Sequence, residues 1–455
     1  MLRLAGRDLT LNCAGMKRRS FLQAGFLGLA GLSMADLLRL QAAQAATGVP
    51  KKNTACILIW LDGGPPQHET YDPKPDAPAE YRGAFKPIET SVSGLRLCEL
   101  MPEQAKMAHR MAFIRSVHHG HGDHFAGAHM MLTGRWGATG ADTTPRAPGA
   151  GSYVAAVRGA NQPGMPPYVG LANLHSVGVV PGYHGANWLG ARYNPFVADD
   201  TSGGKRIGTP GLFKQSSDKA RLAKRRGLLE KVDTMRRTFD HEVSINNTDH
   251  FTQLALNTLL SPEVRDAFDL DAEPEKVAER YGDHRWSRYT LLARRLVERG
   301  VTFVTVNMDG WDMHDNIAQV VKGPAAAMDR AIGTLVRDLD ERGMLDHVMV
   351  VVMGEFGRTP KLNTTGVPGQ TGLPGRDHWG DVMSVAVAGG GLRMGQAIGA
   401  SNANGEYPAE HPYTPRDVLA TMYRVLGVNP STEFQDLQAR PIPILESGAP
   451  IPELV

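Results

Sequence analysis

With 455 residues, 42% of them hydrophobic and 21% charged, the chain is ordinary globular material, enough for one large α/β domain or two smaller ones. Its 49 Lys and Arg against 47 Asp and Glu give a net charge of +2, which implies no basic face, and no nucleic-acid partner is expected.

The first segment, Met16-Lys17-Arg18-Arg19-Ser20-Phe21-Leu22-Gln23, is followed by an apolar, glycine-dotted stretch from Ala24 to Leu32 and by Ala43-Gln44-Ala45. A charged start, a short apolar centre and a small-residue cleavage site mark an export leader. Paired arginines before Phe-Leu point to the twin-arginine route, whose export machinery is then an expected partner. Cleavage is expected after Ala45, and the residues before Met16 read as an over-extended start. The apolar centre, about a dozen residues, is too short for roughly 30 Å of bilayer; an uncleaved N-terminal anchor is the alternative. Residues 1–45 carry six Lys/Arg and two Asp/Glu, so residues 46–455 keep 43 basic against 45 acidic side chains, a net of −2. No second apolar run of about 18 residues occurs, so no stable membrane span is expected after cleavage, and the expected location is periplasmic or otherwise extracytoplasmic.

Thr54–Leu61 is a continuous apolar run that ends in Asp62-Gly63-Gly64-Pro65-Pro66, the pattern of a buried strand entering a loop. Cys56 lies in that run and reads as a buried free thiol, although a pairing with Cys98 is open after export. A helix is expected over Glu99–Arg110, a strand over Met111–Val117, a helix over Asp123–Thr133 and a short strand over Tyr168–Leu171. Residues 217–298 are charged and helical (Lys219–Val243, Asp249–Leu260, Pro262–Phe268, Trp286–Glu298) and read as an insertion or cap. A strand at Val301–Asn307, a helix over Ala325–Arg342, strands at Val348–Met353 and Val382–Ala388 and a helix over Thr414–Leu426 complete the order. Strands alternating with helices predict a mainly parallel sheet covered on both faces.

Ligands of open α/β sheets bind beyond the carboxyl ends of the strands, so the strand exits are where chemistry is sought. Asp62 follows the first strand. His118-His119-Gly120-His121-Gly122-Asp123-His124 follows the second, with His129 one helical turn on; five of the 16 histidines fall within residues 118–129. Asp309-Gly310-Trp311-Asp312-Met313-His314-Asp315 and Gly354-Glu355-Phe356-Gly357-Arg358-Thr359-Pro360 follow two more, and Arg376-Asp377-His378-Trp379-Gly380-Asp381 precedes the last. Carboxylates and imidazoles together suit divalent cations. Asp312 and His314, two apart on an extended segment, face the same way as a ligand pair does. The bland alternatives are a turn-capping Asp62, a loop salt bridge between Glu355 and Arg358, and histidines that merely satisfy hydrogen bonds. Gly389-Gly390-Gly391-Leu392-Arg393-Met394-Gly395 lacks the βαβ setting of a dinucleotide loop and reads as a glycine turn. No G-x-S-x-G elbow occurs.

On Leu61-Asp62-Gly63-Gly64-Pro65, His124 with Leu132-Thr133-Gly134-Arg135, Gly310-Trp311-Asp312-Met313-His314, Gly354-Glu355-Phe356-Gly357-Arg358-Thr359-Pro360 and Asp377-His378-Trp379, the chain resembles the bacterial domain-of-unknown-function 1501 family. That family is placed among alkaline-phosphatase-like and sulfatase-like proteins. The resemblance implies an alkaline-phosphatase-like three-layer α/β/α sandwich holding one or two divalent ions (zinc, calcium, magnesium or manganese). It implies Asp62, Asp312 (or Asp309), His314, Glu355 and His378 as metal ligands. It further implies a small anionic ester, or a sulfated or phosphorylated glycan, as substrate. The chain departs from the pattern twice. Phe356 stands where a ligand histidine is expected, and Asp123 and His124 stand where phosphatases and sulfatases carry a hydroxyl or modified cysteine nucleophile; Ser116 is several residues early. Three alternatives follow: a histidine nucleophile, His121 or His124; direct attack by a cation-activated water; or a metal site without hydrolysis. Arg358 is expected to steady the anion. The expected function is an exported metal-dependent hydrolase of phosphate or sulfate esters; the alternative is a non-catalytic exported binding or scaffold protein with a structural metal.

Overall fold

The computed structural model describes residues 53–172, 174–179, 182–198, 261–363 and 372–455. The leader and the helices expected at Lys219–Val243 and Asp249–Leu260 lie outside the described residues. Eight strands form one sheet: β1 (Ala55–Leu61), β2 (Met111–Val117), β3 (Tyr168–Leu171), β4 (Phe196–Ala198), β5 (Phe303–Met308), β6 (Val348–Met353), β7 (Met383–Gly389) and β8 (Gln396–Ile398). Their spatial order is β8-β2-β7-β6-β1-β5-β3-β4. Only β7 runs antiparallel, against both β2 and β6; the other pairings are parallel.

β1 explains the layering. All seven of its residues are buried, as a strand covered on both faces requires. Ile57, Ile59 and Leu61 join a core with Leu292, Leu296, Leu335 and Leu339 from helices α3 (Arg285–Glu298) and α4 (Lys322–Glu341). Cys56, Leu58 and Trp60 turn to the opposite core, with Met131, Tyr153, Leu419 and Met422 from α1 (His124–Thr133), α2 (Ala150–Arg158) and α5 (Pro415–Val425). Alternate residues of one strand therefore feed two cores, and the result is the expected α/β/α sandwich. Cys56 and Cys98 are both buried and free.

Several boundaries differ from the sequence expectation. The helix expected over Glu99–Arg110 is a short helix, Pro102–Lys106, followed by a single tight turn at Ala108–Arg110. α3 packs against β5 and α4, so the end of the stretch expected as an insertion or cap is part of the sandwich itself. No described helix is long and apolar enough to cross a membrane.

The register brings the strand ends together. Leu61 lies opposite Met308 and Trp60 opposite Met353, while Val117 lies opposite Met383. The segments after β1, β2, β5 and β6 thus leave from one edge of the sheet. β7, being antiparallel, enters from that same edge, which is why His378 precedes its strand while the other candidate residues follow theirs.

Candidate metal centre

Close backbone approach sets up the site. Gly63 has φ +117°, and a Cβ there would lie 2.3 Å from the backbone nitrogen of Asp312. Only glycine lets the β1 exit lie flat against the β5 exit. Trp311 N donates to the Asp62 carbonyl at 3.0 Å and locks the two segments. Arg358 and His378 face each other across a two-residue antiparallel ladder, Gly357–Arg358 with His378–Trp379.

Asp312 is the hub. Its Oδ1 is 2.9 Å from His314 Nε2 and 3.0 Å from His378 Nε2, and it accepts from Arg358 Nη2 at 2.7 Å. Its Oδ2 is 3.3 Å from His124 Nε2. Burial alone would raise the Asp312 pKa, but hydrogen bonds from His124, His378 and Arg358 outweigh it and hold the carboxyl well below the usual carboxylate range. Each imidazole is gripped from behind. His124 Nδ1 is 2.8 Å from Glu355 Oε1, His314 Nδ1 is 2.8 Å from Asp377 Oδ1, and His378 Nδ1 is 2.8 Å from the Gly122 carbonyl. Phe356, fully buried, lies against the His124 and His378 rings, with centroids 4.9 and 4.5 Å away.

Glu355 is fully buried; its Oε1 also accepts from Gly63 N at 2.8 Å, and its Oε2 has no partner. Burial raises its pKa. For His124, burial acts to lower the pKa, yet the hydrogen bonds and charges of Asp312 and Glu355 lift it to about 9. Asp62 belongs to a flanking group. Its carboxylate accepts from Trp60 Nε1 at 2.9 Å and Val177 N at 2.8 Å, and lies 3.1 Å from His175 Nδ1. Val177 reaches it from φ 46°, a costly conformation for a β-branched residue.

The structure sorts the expected residues. It brings Asp312, His314, His378 and His124 together, sets Glu355 behind His124 and leaves Asp62 beside His175. Asp309 is paired with Arg285, so Asp312 rather than Asp309 faces the imidazoles. The role expected of Arg358, steadying a substrate anion, is corrected: the side chain is fully buried and donates to the carbonyls of Gly63, Gly64, Trp311 and Arg376 and to Asp312. Its guanidinium is turned into the protein and is not exposed. His121 stays outside the cluster, an exposed residue with its ring 4.5 Å from Trp136. Asp123 caps α1 by accepting from Ala126 N, and Ser116 is buried and donates to the His411 carbonyl. His129 is buried between the Arg135 carbonyl and Arg146 N. Two further residues take part: Asp377, inside the Asp377-His378-Trp379 motif, holds His314, and His175, which like the other site residues follows a strand exit, that of β3, pairs with Asp62.

Ligand atoms of His124, Asp312 and His378 all lie within 4.8 Å of one another, close enough to share one cation. The donors are imidazole nitrogens and a carboxylate oxygen, the set that binds zinc and other first-row ions. The partnerless buried Glu355 Oε2 is a further sign of a polar occupant. The residues present fit a divalent metal.

No curated protein matches the sequence. Among solved structures, PsFucS1 sulfatase from Pseudoalteromonas sp. aligns with a TM-score of 0.39 at 14% identity, over 86% of this chain and 70% of the sulfatase. The alkaline phosphatase from the Antarctic bacterium TAB5 gives a TM-score of 0.34 at 15% identity, over 82% of this chain and 98% of the phosphatase. Phosphonate monoester hydrolase SpPMH from Silicibacter pomeroyi gives 0.30 at 12% identity, over 85% and 76% of the two chains. Residues 53–455 match the family described as a protein of unknown function, DUF1501, and the chain belongs to that family.

Proposed function

We propose that the protein is an exported, metal-dependent hydrolase of phosphate or sulfate esters, with its cation site around Asp312. The observation that carries this reading is the convergence of imidazoles from three separate segments on one carboxylate, at the sheet edge where α/β proteins bind ligands. Asp312, His314 and His378 would hold the cation. The chemistry a divalent ion supplies when bound is polarisation of a phosphoryl or sulfuryl oxygen and acidification of water. The chain's own residues prepare the place. Arg358 and the imidazoles fix the orientation of Asp312, Asp377 orients His314, and Phe356 packs against the His124 and His378 rings. The Asp312 side chain is 47% exposed, so one side of the cluster is open to a small anionic ester or a sulfated or phosphorylated glycan.

The second reading is a non-catalytic binding or scaffold protein with a structural metal. The fate of Ser116 favours it, since the one hydroxyl expected near the site is buried and engaged elsewhere. Elemental analysis of the purified protein, with an aryl phosphate and aryl sulfate screen run with and without chelator, separates the two. Bound metal and chelator-sensitive turnover, both lost in Asp312→Asn and His314→Ala, are expected of the enzyme. Stoichiometric metal with no turnover on any ester would leave the scaffold. Export is tested apart from chemistry: replacing Arg18 and Arg19 by lysine should hold the protein in the cytoplasmic fraction.

A further inference from the structure

We infer that the cation is held by three imidazoles and one carboxylate, His124, His314, His378 and Asp312, and that Glu355 and Asp377 are positioning residues rather than ligands. This rests on the metal-dependent reading above and decides what His124 does within it.

The three histidines are built alike. In each, Nδ1 faces an oxygen acceptor at 2.8 Å: Glu355 Oε1, Asp377 Oδ1 and the Gly122 carbonyl. A carbonyl oxygen only accepts, so His378 must carry its proton on Nδ1; an ionised carboxylate imposes the same on His124 and His314. Each Nε2 lies 2.9, 3.0 or 3.3 Å from an Asp312 oxygen, so without a cation each of these contacts is a hydrogen bond that needs a second proton on its ring. Two acceptors face each other at that distance only with something positive between them. Three separate protons would make three cationic rings, with centroids 4.3 and 4.6 Å apart for His124–His378 and His314–His378, beside the Arg358 guanidinium. One divalent ion would replace those protons: the ligand atoms of His124, Asp312 and His378 already lie within 4.8 Å of one another, and His314 Nε2 is 2.9 Å from the same carboxylate. Adjacent ligands of a tetrahedral ion bound at about 2.0–2.1 Å are about 3.3 Å apart, so the rings and the carboxylate would draw together around it. The carboxylate and carbonyl behind each ring are the partners that metal-bound histidines use to fix tautomer and orientation.

Two consequences follow. His124 is spent as a ligand and is not a nucleophile, so no covalent enzyme intermediate forms on it. An imidazole-rich set also selects a first-row transition ion over magnesium or calcium.

The test is a titration of the full, chelator-stripped protein with Co²⁺, read by visible absorption and by elemental analysis, with Zn²⁺, Mn²⁺, Mg²⁺ and Ca²⁺ as competitors. One Co²⁺ per chain is expected, displaced by Zn²⁺ but not by Mg²⁺ or Ca²⁺. His124→Ala should weaken binding at least 100-fold, as should His314→Ala and His378→Ala. Glu355→Gln should keep the stoichiometry and weaken binding about 10–100-fold, the range for partners behind a ligand. Wild-type Co²⁺ affinity in a folded His124→Ala protein would overturn the inference and leave the metal-dependent reading standing. A wild-type protein that binds none of these ions overturns both. Should His124→Ala not fold, ring-nitrogen NMR of the Zn²⁺-loaded wild type decides: three histidines protonated on Nδ1 alone support the assignment, and two refute it.

Discussion

Ser116 shows how a side chain of the right chemistry is taken out of play. Its hydroxyl donates to the His411 carbonyl, and the residue is fully buried against Gly399. Ser116→Ala is therefore expected to lower stability by about 1 kcal/mol in urea unfolding and to leave metal binding unchanged. His184 makes a different point at the same scale. It is buried edge-on against Trp60, with ring centroids 5.7 Å apart, and its Nε2 has no partner. Burial pushes its pKa down to about 3. The unfolded chain thus takes up this proton first as the pH falls, so the stability that neutral His184 contributes is full above pH 6.5 and lost between 6.5 and about 3. The loss at this one residue is on the order of 5 kcal/mol. His184→Phe keeps the ring packing, and its melting temperature should fall less steeply over that range than the wild type's. Equal slopes would show that His184 is not buried neutral.

At the scale of elements, the join between β1 and the β5 loop governs the site. Gly63→Ala forces a Cβ into the Asp312 backbone at a positive φ. A loss of about 3 kcal/mol or more is expected, together with weaker cation binding, because Trp311 and Asp312 must shift. Gly310 is the control: its φ is +89°, but nothing lies within 4 Å of a Cβ there. Gly310→Ala should cost about 1 kcal/mol, the backbone term alone. Similar losses in the two variants would show that the close approach at Gly63 does not matter. The same contrast explains what was legible. β1, β2, β3 and β6 could be read within a residue because an apolar run between turn signals is a local property. α2, β4 and β8 were not: α2 opens on the small residues Ala150-Gly151-Ser152, and each of the two strands has three residues at a sheet edge.

At the scale of the whole molecule, the candidate ligands span residues 124 to 378, so cation binding is coupled to the fold of the entire sandwich. A divalent ion at 100 times its dissociation constant should stabilise the native state by about 2.7 kcal/mol. For a domain of this size that is a rise of a few degrees in melting temperature, reversed by chelator and absent in His378→Ala. No shift with any divalent ion would remove the basis of the coupling.

The sequence alone determined the order of the main elements, the mainly parallel α/β class and the strand exits at which carboxylates and imidazoles gather, because each depends on patterns within some ten residues. Tertiary structure decided which of those residues meet. His124 reaches Asp312 and Glu355 across separations of 188 and 231 residues, His175 reaches Asp62, and Arg358 turns inward to grip Asp312 instead of facing a ligand. Loop paths set these contacts, and loop paths follow from glycine-tight crossings and the antiparallel β7 of the eight-stranded sheet rather than from any local pattern.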